Sequence, residues 1–176
     1  KDTYQFRCVD DDYSSAGSEH QKCALFLCET VIRSDMDSTD SQKKIITFGK
    51  NNNYKDSEIR KWLRDGCTGE AGLQMGAGAL MPVNVGVCTA FLGQTSPGTE
   101  GEAAETELVK YTLLPQMMSD RMFLLSVEEA LKYRKELWDT VSEESPYSRG
   151  YWLRTPVYQE GENGGFIYGT EAYAVD

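Results

Sequence analysis

The segment Arg121-Met-Phe-Leu-Leu-Ser-Val-Glu-Glu-Ala places a structural boundary almost to the residue. An apolar run ends at Leu125, Ser126 follows, and Glu129 stands three positions beyond it. In that spacing the serine hydroxyl accepts the backbone N–H of residue 129 and the glutamate carboxylate accepts that of residue 126. Each side chain so satisfies a donor that the first helical turn leaves orphaned. Leu125 and Ala130 occupy the positions of a hydrophobic staple. The pattern predicts a buried strand over residues 121–125 and a helix over residues 126–138. A second helix is predicted over residues 57–64, where Ile59, Trp62 and Leu63 fall at i, i+3 and i+4 and Gly66 takes a C-terminal cap position.

The remaining apolar runs are short and β-rich. Strands are expected at residues 4–9, 23–32, 45–48, 83–92 and 151–157, the last closed by Pro156. Residues 23–32 form the longest such run and are expected to be a central strand. Residues 164–169 and 172–175 read as a hairpin pair. Residues 10–18, 34–42, 73–79 and 94–104 are polar or glycine-rich and read as loops or irregular structure. Neither an internal repeat nor an interdomain linker interrupts the chain, so residues 1–176 are expected to form one domain. The fold class is α+β, with two helices packed on short twisted antiparallel sheets and long loops.

Composition narrows the uses of such a domain. The 176 residues carry 28 acidic and 18 basic side chains, a formal net charge of −10, and 40% are hydrophobic. That is too apolar for a disordered chain, and no apolar run approaches the roughly 20 residues of a membrane span. The acidic balance argues against nucleic acid and anionic membrane as partners, since both select basic surfaces. The sequence begins at Lys1 with no basic-then-apolar leader, so any targeting segment is expected outside it. Five cysteines, Cys8, Cys23, Cys28, Cys67 and Cys88, leave at least one thiol unpaired within a monomer. No C-x-x-C supports a zinc ribbon or a redox pair. Cys23, Cys28 and Cys88 lie in apolar runs and read as small buried hydrophobes, while a disulfide involving Cys8 or Cys67 stays open.

Three stretches carry a resemblance: Tyr54-Lys-Asp-Ser-Glu-Ile-Arg-Lys-Trp-Leu, Arg121-Met-Phe-Leu-Leu-Ser-Val-Glu-Glu-Ala-Leu-Lys-Tyr and Gly150-Tyr-Trp-Leu-Arg-Thr-Pro. Their order and spacing resemble an uncharacterised domain family of bacterial surface proteins with a C-type-lectin-like fold, whose members read S-x-I-R-x-W-L, F-L-L-S-x-E-E-A-x-x-Y and W-L-R-S/T-P. The fold is shared with the formylglycine-generating-enzyme superfamily and with retroelement variable proteins. The resemblance implies a scaffold that displays a ligand-binding face on long loops, at a cell surface or in a secreted protein. Family members end in a strand with a G-[IVL]-R-P-A motif. This sequence stops at Ala174-Val-Asp before one, so the domain is expected to lack its final strand or to receive it from another chain. The oxidase members of the superfamily need a late cysteine pair; here the last cysteine is Cys88, and that activity is not carried over.

Candidate ligand-binding residues are Tyr147, Tyr151, Trp152, Arg154, Tyr158 and Tyr168, set in a C-terminal region where tyrosine alternates with glycine, asparagine and glutamate. Such a composition makes rigid amphipathic contacts at low entropic cost. On a strand, Trp152 and Arg154 share one face, as an aromatic shelf and a planar fork for a carboxylate or sugar hydroxyl. The competing and preferred reading buries Trp152 in the core and pairs Arg154 with an internal acid or carbonyl. Asn51 to Asn53 offer amides to a sugar, but a turn with helix capping is the simpler account. Calcium is the one cofactor left open, by Asp10, Asp11 and Asp12 and by Asp35, Asp37 and Asp40. Neither set fits an EF-hand: a loop from Asp10 puts Ser15 at the glycine position and Gln21 at the glutamate, and one from Asp35 puts Asp40 at the glycine. His20 is the only histidine and lies in a polar segment unsuited to orienting a base. Among 28 acids nothing singles out a hydrolytic pair, so no catalytic residue is assigned. Leu131, Trp138 and Val141 on the second helix are expected to pack in the core.

The expectation is a non-enzymatic binding or adhesion module whose partner is a glycan, peptide or protein. The alternative is a structural domain that self-assembles or joins a larger surface protein. A carboxylate-based hydrolase ranks behind both.

Overall fold

The protein's structure is a computed structural model that describes residues 4–16, 22–29, 46–67, 80–96, 105–133, 135–136, 151–160 and 166–175. Strand residues 92–96, 105–109, 151, 158–160 and 166–175 are described through their backbone. Among the described residues, two sheets and two α-helices make a mixed α+β arrangement. Strand β1 (Phe6–Asp10) pairs antiparallel with β2 (Leu25–Cys28) in a two-stranded sheet. The larger sheet holds β3 (Val83–Ser96), β4 (Glu105–Asp120), β5 (Tyr151–Glu160) and β6 (Phe166–Val175) in the order β4-β3-β5-β6. The β3–β4 and β5–β6 pairs are antiparallel, but β3 and β5 run parallel through Phe91↔Val157 and Leu92↔Tyr158, so the sheet is mixed where an antiparallel one was expected.

Both helices start where their caps predict. Ser57 accepts the Arg60 N–H at 3.1 Å and opens α1 (Glu58–Trp62). A 3-10 turn, Tyr54–Asp56, precedes α1, and a π-helical turn, Leu63–Cys67, continues it, so Gly66 lies inside a turn and not at a cap. Ser126 and Glu129 form the full capping box of α2 (Val127–Lys132), with the Ser126 N–H 3.0 Å from Glu129 Oε2 and the Glu129 N–H 3.2 Å from Ser126 Oγ. Thr155 Oγ1 takes the Val127 N–H at 3.0 Å, which ties the helix start to β5.

Several expectations need correction. The run at residues 23–32 is not a central strand: its described part forms β2 in the small sheet, and β3 and β5 hold the centre. Residues 46–48 join no strand; the Phe48 carbonyl instead accepts the Glu58 N–H at 3.1 Å, and Gly49, at φ 119°, turns the chain in a conformation that side-chain-bearing residues rarely adopt. Residues 121–125 are not a strand either. Their backbone is satisfied from the side: Leu124 N–H donates to the Tyr54 hydroxyl, the Leu124 carbonyl accepts from Arg154 Nη1, and the Leu125 carbonyl accepts from the Arg154 N–H. The hairpin expected between residues 164–169 and 172–175 is the single strand β6, whose hairpin partner is β5. Residues 94–96 are strand and not loop, and residues 105–120 form a strand that the sequence did not announce. Residues 17–20, 30–45, 68–79, 97–104, 137–150 and 161–165 lie outside the described residues. With them lie His20, Asp35, Asp37, Asp40, Trp138, Val141 and Tyr147.

The core has two clusters. One gathers Tyr13, Leu25, Leu125, Val127, Ala130, Tyr133 and Leu153 between α2, β2 and β5. The other gathers Phe48, Tyr54, Ile59, Val85, Val87 and Met118 between α1 and the β3–β4 pair. Val83 and Phe123 pack against both clusters and join them.

Candidate functional site

At the junction of the two clusters lies a buried ion pair. Arg154, 1% exposed, directs all five of its N–H donors inward. Nη1 and Nη2 each reach a Glu129 carboxylate oxygen at 2.6 Å, Nη1 also reaches the Leu124 carbonyl at 2.6 Å, Nε the Gly86 carbonyl at 3.0 Å, and Nη2 the Ser15 hydroxyl at 3.2 Å. Glu129 is equally engaged, since besides the two guanidinium bonds it accepts the Tyr13 hydroxyl at 2.8 Å and the Ser126 N–H. The Phe123 ring sits 5.6 Å from the guanidinium carbon and stacks on Tyr13 at 5.8 Å. Burial alone would lower the Arg154 pKa, but the Glu129 charge beside it raises it, so the guanidinium is held charged. Burial, and then the Glu129 charge, push the Tyr13 phenol up, which keeps it a donor.

This network is where the three sequence motifs meet. The Arg-Thr of Trp152-Leu-Arg-Thr-Pro supplies Arg154 and Thr155, the capping box supplies Ser126 and Glu129, and Tyr54 from the first motif holds Leu124. A second pair anchors the first motif. Arg60 Nε and Nη2 bind the two Asp120 oxygens at 2.8 and 2.9 Å, and Nη1 donates to the Lys55 carbonyl at 2.7 Å. The motif residues therefore organise the interior.

Of the candidate ligand-binding residues, Arg154 has no donor left for an external carboxylate or sugar, so the planar-fork role is corrected to an internal one. Trp152 differs: it is 41% exposed, although the next four residues of β5 are buried. Its ring rests on Phe48 at 5.6 Å, and Phe48 packs on the fully buried Tyr54 at 6.4 Å. Tyr158 and Tyr168 are direct register partners across the β5–β6 pair, and Tyr151 faces Val175 one position before Trp152↔Ala174. The strands thus gather three of the tyrosine positions and Trp152 on one hairpin.

The asparagine run is a turn and cap. Asn51 Oδ1 accepts the Asn53 N–H at 3.0 Å, Asn53 Oδ1 caps the 3-10 turn at Lys55 N–H, and the Asn52 amide donates to the Val157 carbonyl, binding the turn to β5.

A shallow cleft of about 460 Å³ lies between the Cys8–Asp11 segment and the Lys132, Tyr133 and Glu136 side chains. Asp10 Oδ2 accepts from both Lys132 Nζ and the Tyr133 hydroxyl at 2.5 Å, and these two bonds lower its pKa to about 2. Sequence reasoning missed this site, because nothing in the spacing of Asp10 and Lys132 brings them together. Among the described residues no three histidine, cysteine, aspartate or glutamate side chains converge as metal ligands, and Cys8, Cys23 and Cys88 are free thiols. No helix among the described residues is long and apolar enough to cross a membrane. Compared with known proteins, the chain matches no family model, no curated protein and no solved structure.

Proposed function

We propose that this chain is a non-enzymatic ligand-binding module of a secreted or surface protein, built on a C-type-lectin-like scaffold, and that its ligand is a glycan. The observation that carries the reading is Trp152: a large aromatic ring left 41% exposed beside four buried residues of its strand, and braced from beneath by Phe48. A rigid exposed indole presents apolar area at little entropic cost, and the C–H face of a sugar ring is the flat apolar surface that matches it. Tyr158 and Tyr168, register partners across β5 and β6, add aromatic positions to the same hairpin. The strongest charged groups support the reading from the other side, because Arg154, Glu129, Arg60 and Asp120 are committed to holding the fold.

The test is calorimetric titration of the full chain against soluble oligosaccharides, with Trp152→Ala and Tyr158→Ala alongside. The expected result is saturable binding, weakened about tenfold or more by Trp152→Ala, with a near-unchanged melting temperature. Binding untouched by both substitutions, or binding to peptides and to no glycan, overturns the reading.

A further inference from the structure

Gly86 faces Met117 directly across the β3–β4 pair, and Cys88 lies two residues further along β3, on the same side of the strand. With only a hydrogen on Gly86, the side chains of these two neighbours lean over it. A methyl group built there would lie 3.0 Å from Met117 Sδ and 3.1 Å from Cys88 Sγ, so the two sulfurs stand within about 6 Å of each other. The same point is 2.5 Å from the Ala16 carbonyl oxygen, which also accepts the Cys88 thiol at 3.1 Å. Two sulfurs and one oxygen thus rim a single gap above the Gly86 Cα. Solvent reaches it, because Met117 is 36% exposed and Cys88 half-buried, although Gly86 beneath them is buried.

We propose that this gap is a site for a soft monovalent cation, Cu(I), held by the Cys88 thiolate and the Met117 thioether with the Ala16 carbonyl beside them. The donors select the ion. Thiolate and thioether sulfur are soft ligands that favour Cu(I), whereas calcium and magnesium need shells of oxygen, and structural zinc needs a closed tetrahedron that these three atoms do not complete. Methionine, unbranched and polarizable, is flexible enough to draw its sulfur onto the ion.

Charge selects the same ion. Cu(I) takes the place of the thiol proton, which passes to solvent, so the thiolate and its cation together are as neutral as the thiol was. Arg154, whose Nε donates to the Gly86 carbonyl at 3.0 Å, is already balanced by Glu129. A divalent ion would add an uncompensated positive charge beside it. The inference does not rest on glycan binding, and its test uses no glycan.

The experiment is an anaerobic titration of the reduced full chain with Cu(I), buffered by a chromogenic Cu(I) chelator. Alkylation and mass spectrometry then read each cysteine against the metal-free chain. Cys88 is expected to be shielded by substoichiometric Cu(I), before Cys8, Cys23, Cys28 or Cys67. Met117→Leu keeps every thiol but removes the thioether, and should raise the free Cu(I) needed to shield Cys88 about tenfold or more. Met81→Leu, at an exposed methionine ahead of β3, should leave that concentration unchanged. In the wild-type chain the Met117 methyl resonance should shift over the same Cu(I) range, which reads the thioether without a substitution. Earlier shielding of another cysteine, equal behaviour of Met117→Leu and the wild type, or a Met117 methyl resonance indifferent to Cu(I) overturns the proposal, since each means that thiols alone take the ion adventitiously.

Discussion

The six-residue helix α2 carries an acid–base contact at each end, and the two are unequal. At its N-terminus Glu129 and Arg154 are buried, bidentate and surrounded by further partners that use every guanidinium donor. At its C-terminus Lys132 reaches Asp10 from a side chain that is 63% exposed. The contrast separates what charge can do for a fold. A buried pair whose every donor and acceptor is satisfied dictates which strands, loops and helix come together, because any other arrangement leaves a polar group stranded in apolar surroundings. A solvated pair adds a modest attraction that salt screens.

The largest effect is expected where the buried pair is broken. Glu129→Ala removes the partner of a buried guanidinium and half of the capping box, and should cost about 3–5 kcal/mol in urea denaturation. Replacing both partners, Arg154→Met with Glu129→Leu, should recover only part of that. The Gly86 and Leu124 carbonyls lose their donor, and each unsatisfied buried group costs about 1–3 kcal/mol. A double variant of wild-type stability would erase the distinction between the two ends of α2.

Next comes Gly86. A methyl group there would lie 2.5 Å from the Ala16 carbonyl oxygen and 3.0 Å from Met117 Sδ, so the loop carrying Ser15 must move. Gly86→Ala should cost about 1–3 kcal/mol. It should also raise the rate at which the Cys88 thiol reacts with a soluble disulfide, since that thiol donates to the same Ala16 carbonyl at 3.1 Å. Unchanged thiol reactivity would show that the loop is not held through this contact.

The smallest effect belongs to the solvated end. The Asp10 pKa is lowered from 3.8 to about 2, first by Lys132 and then by Tyr133, so the contact stabilises the fold above pH 3.8 and is lost as the pH falls toward 2. With Lys132 well exposed, screening leaves it worth about 1 kcal/mol or less. Asp10→Asn should therefore be about that much less stable at pH 7, less so in high salt, and should converge on the wild type as the pH approaches 2. A gap that stays constant from pH 7 to pH 2 would assign the effect to something other than charge.

How far the sequence reveals this arrangement depends on whether the deciding interactions are local. Both helix starts were readable because Ser57 and Ser126 bond to residues three positions on. The strand over residues 105–120 was not, because an edge strand with a bulge at Pro115 shows no clean alternation. The apolar run at residues 121–125 looked like a strand, yet its backbone is taken by an arginine thirty residues downstream and a tyrosine seventy upstream. On β5 the alternation rule itself fails: Leu153, Arg154, Thr155 and Pro156 are all buried because both faces of the strand are covered. Trp152 was readable as a candidate residue, but its exposure was not, since that rests on where Phe48 lies.

The Arg154 network has a consequence for how the chain comes to be folded. The bond from Arg154 to Ser15 joins residues 139 apart, and that from Tyr13 to Glu129 joins residues 116 apart. During synthesis the segment around Tyr13 and Ser15 therefore leaves the ribosome long before its partners exist. The clamp can close only after β5 has been made. Contacts of such separation put folding on the millisecond-to-second side, about three or more orders of magnitude slower than a helix bundle of equal stability. The segment around Tyr13 and Ser15 thus waits on residues made more than a hundred positions later before it is locked.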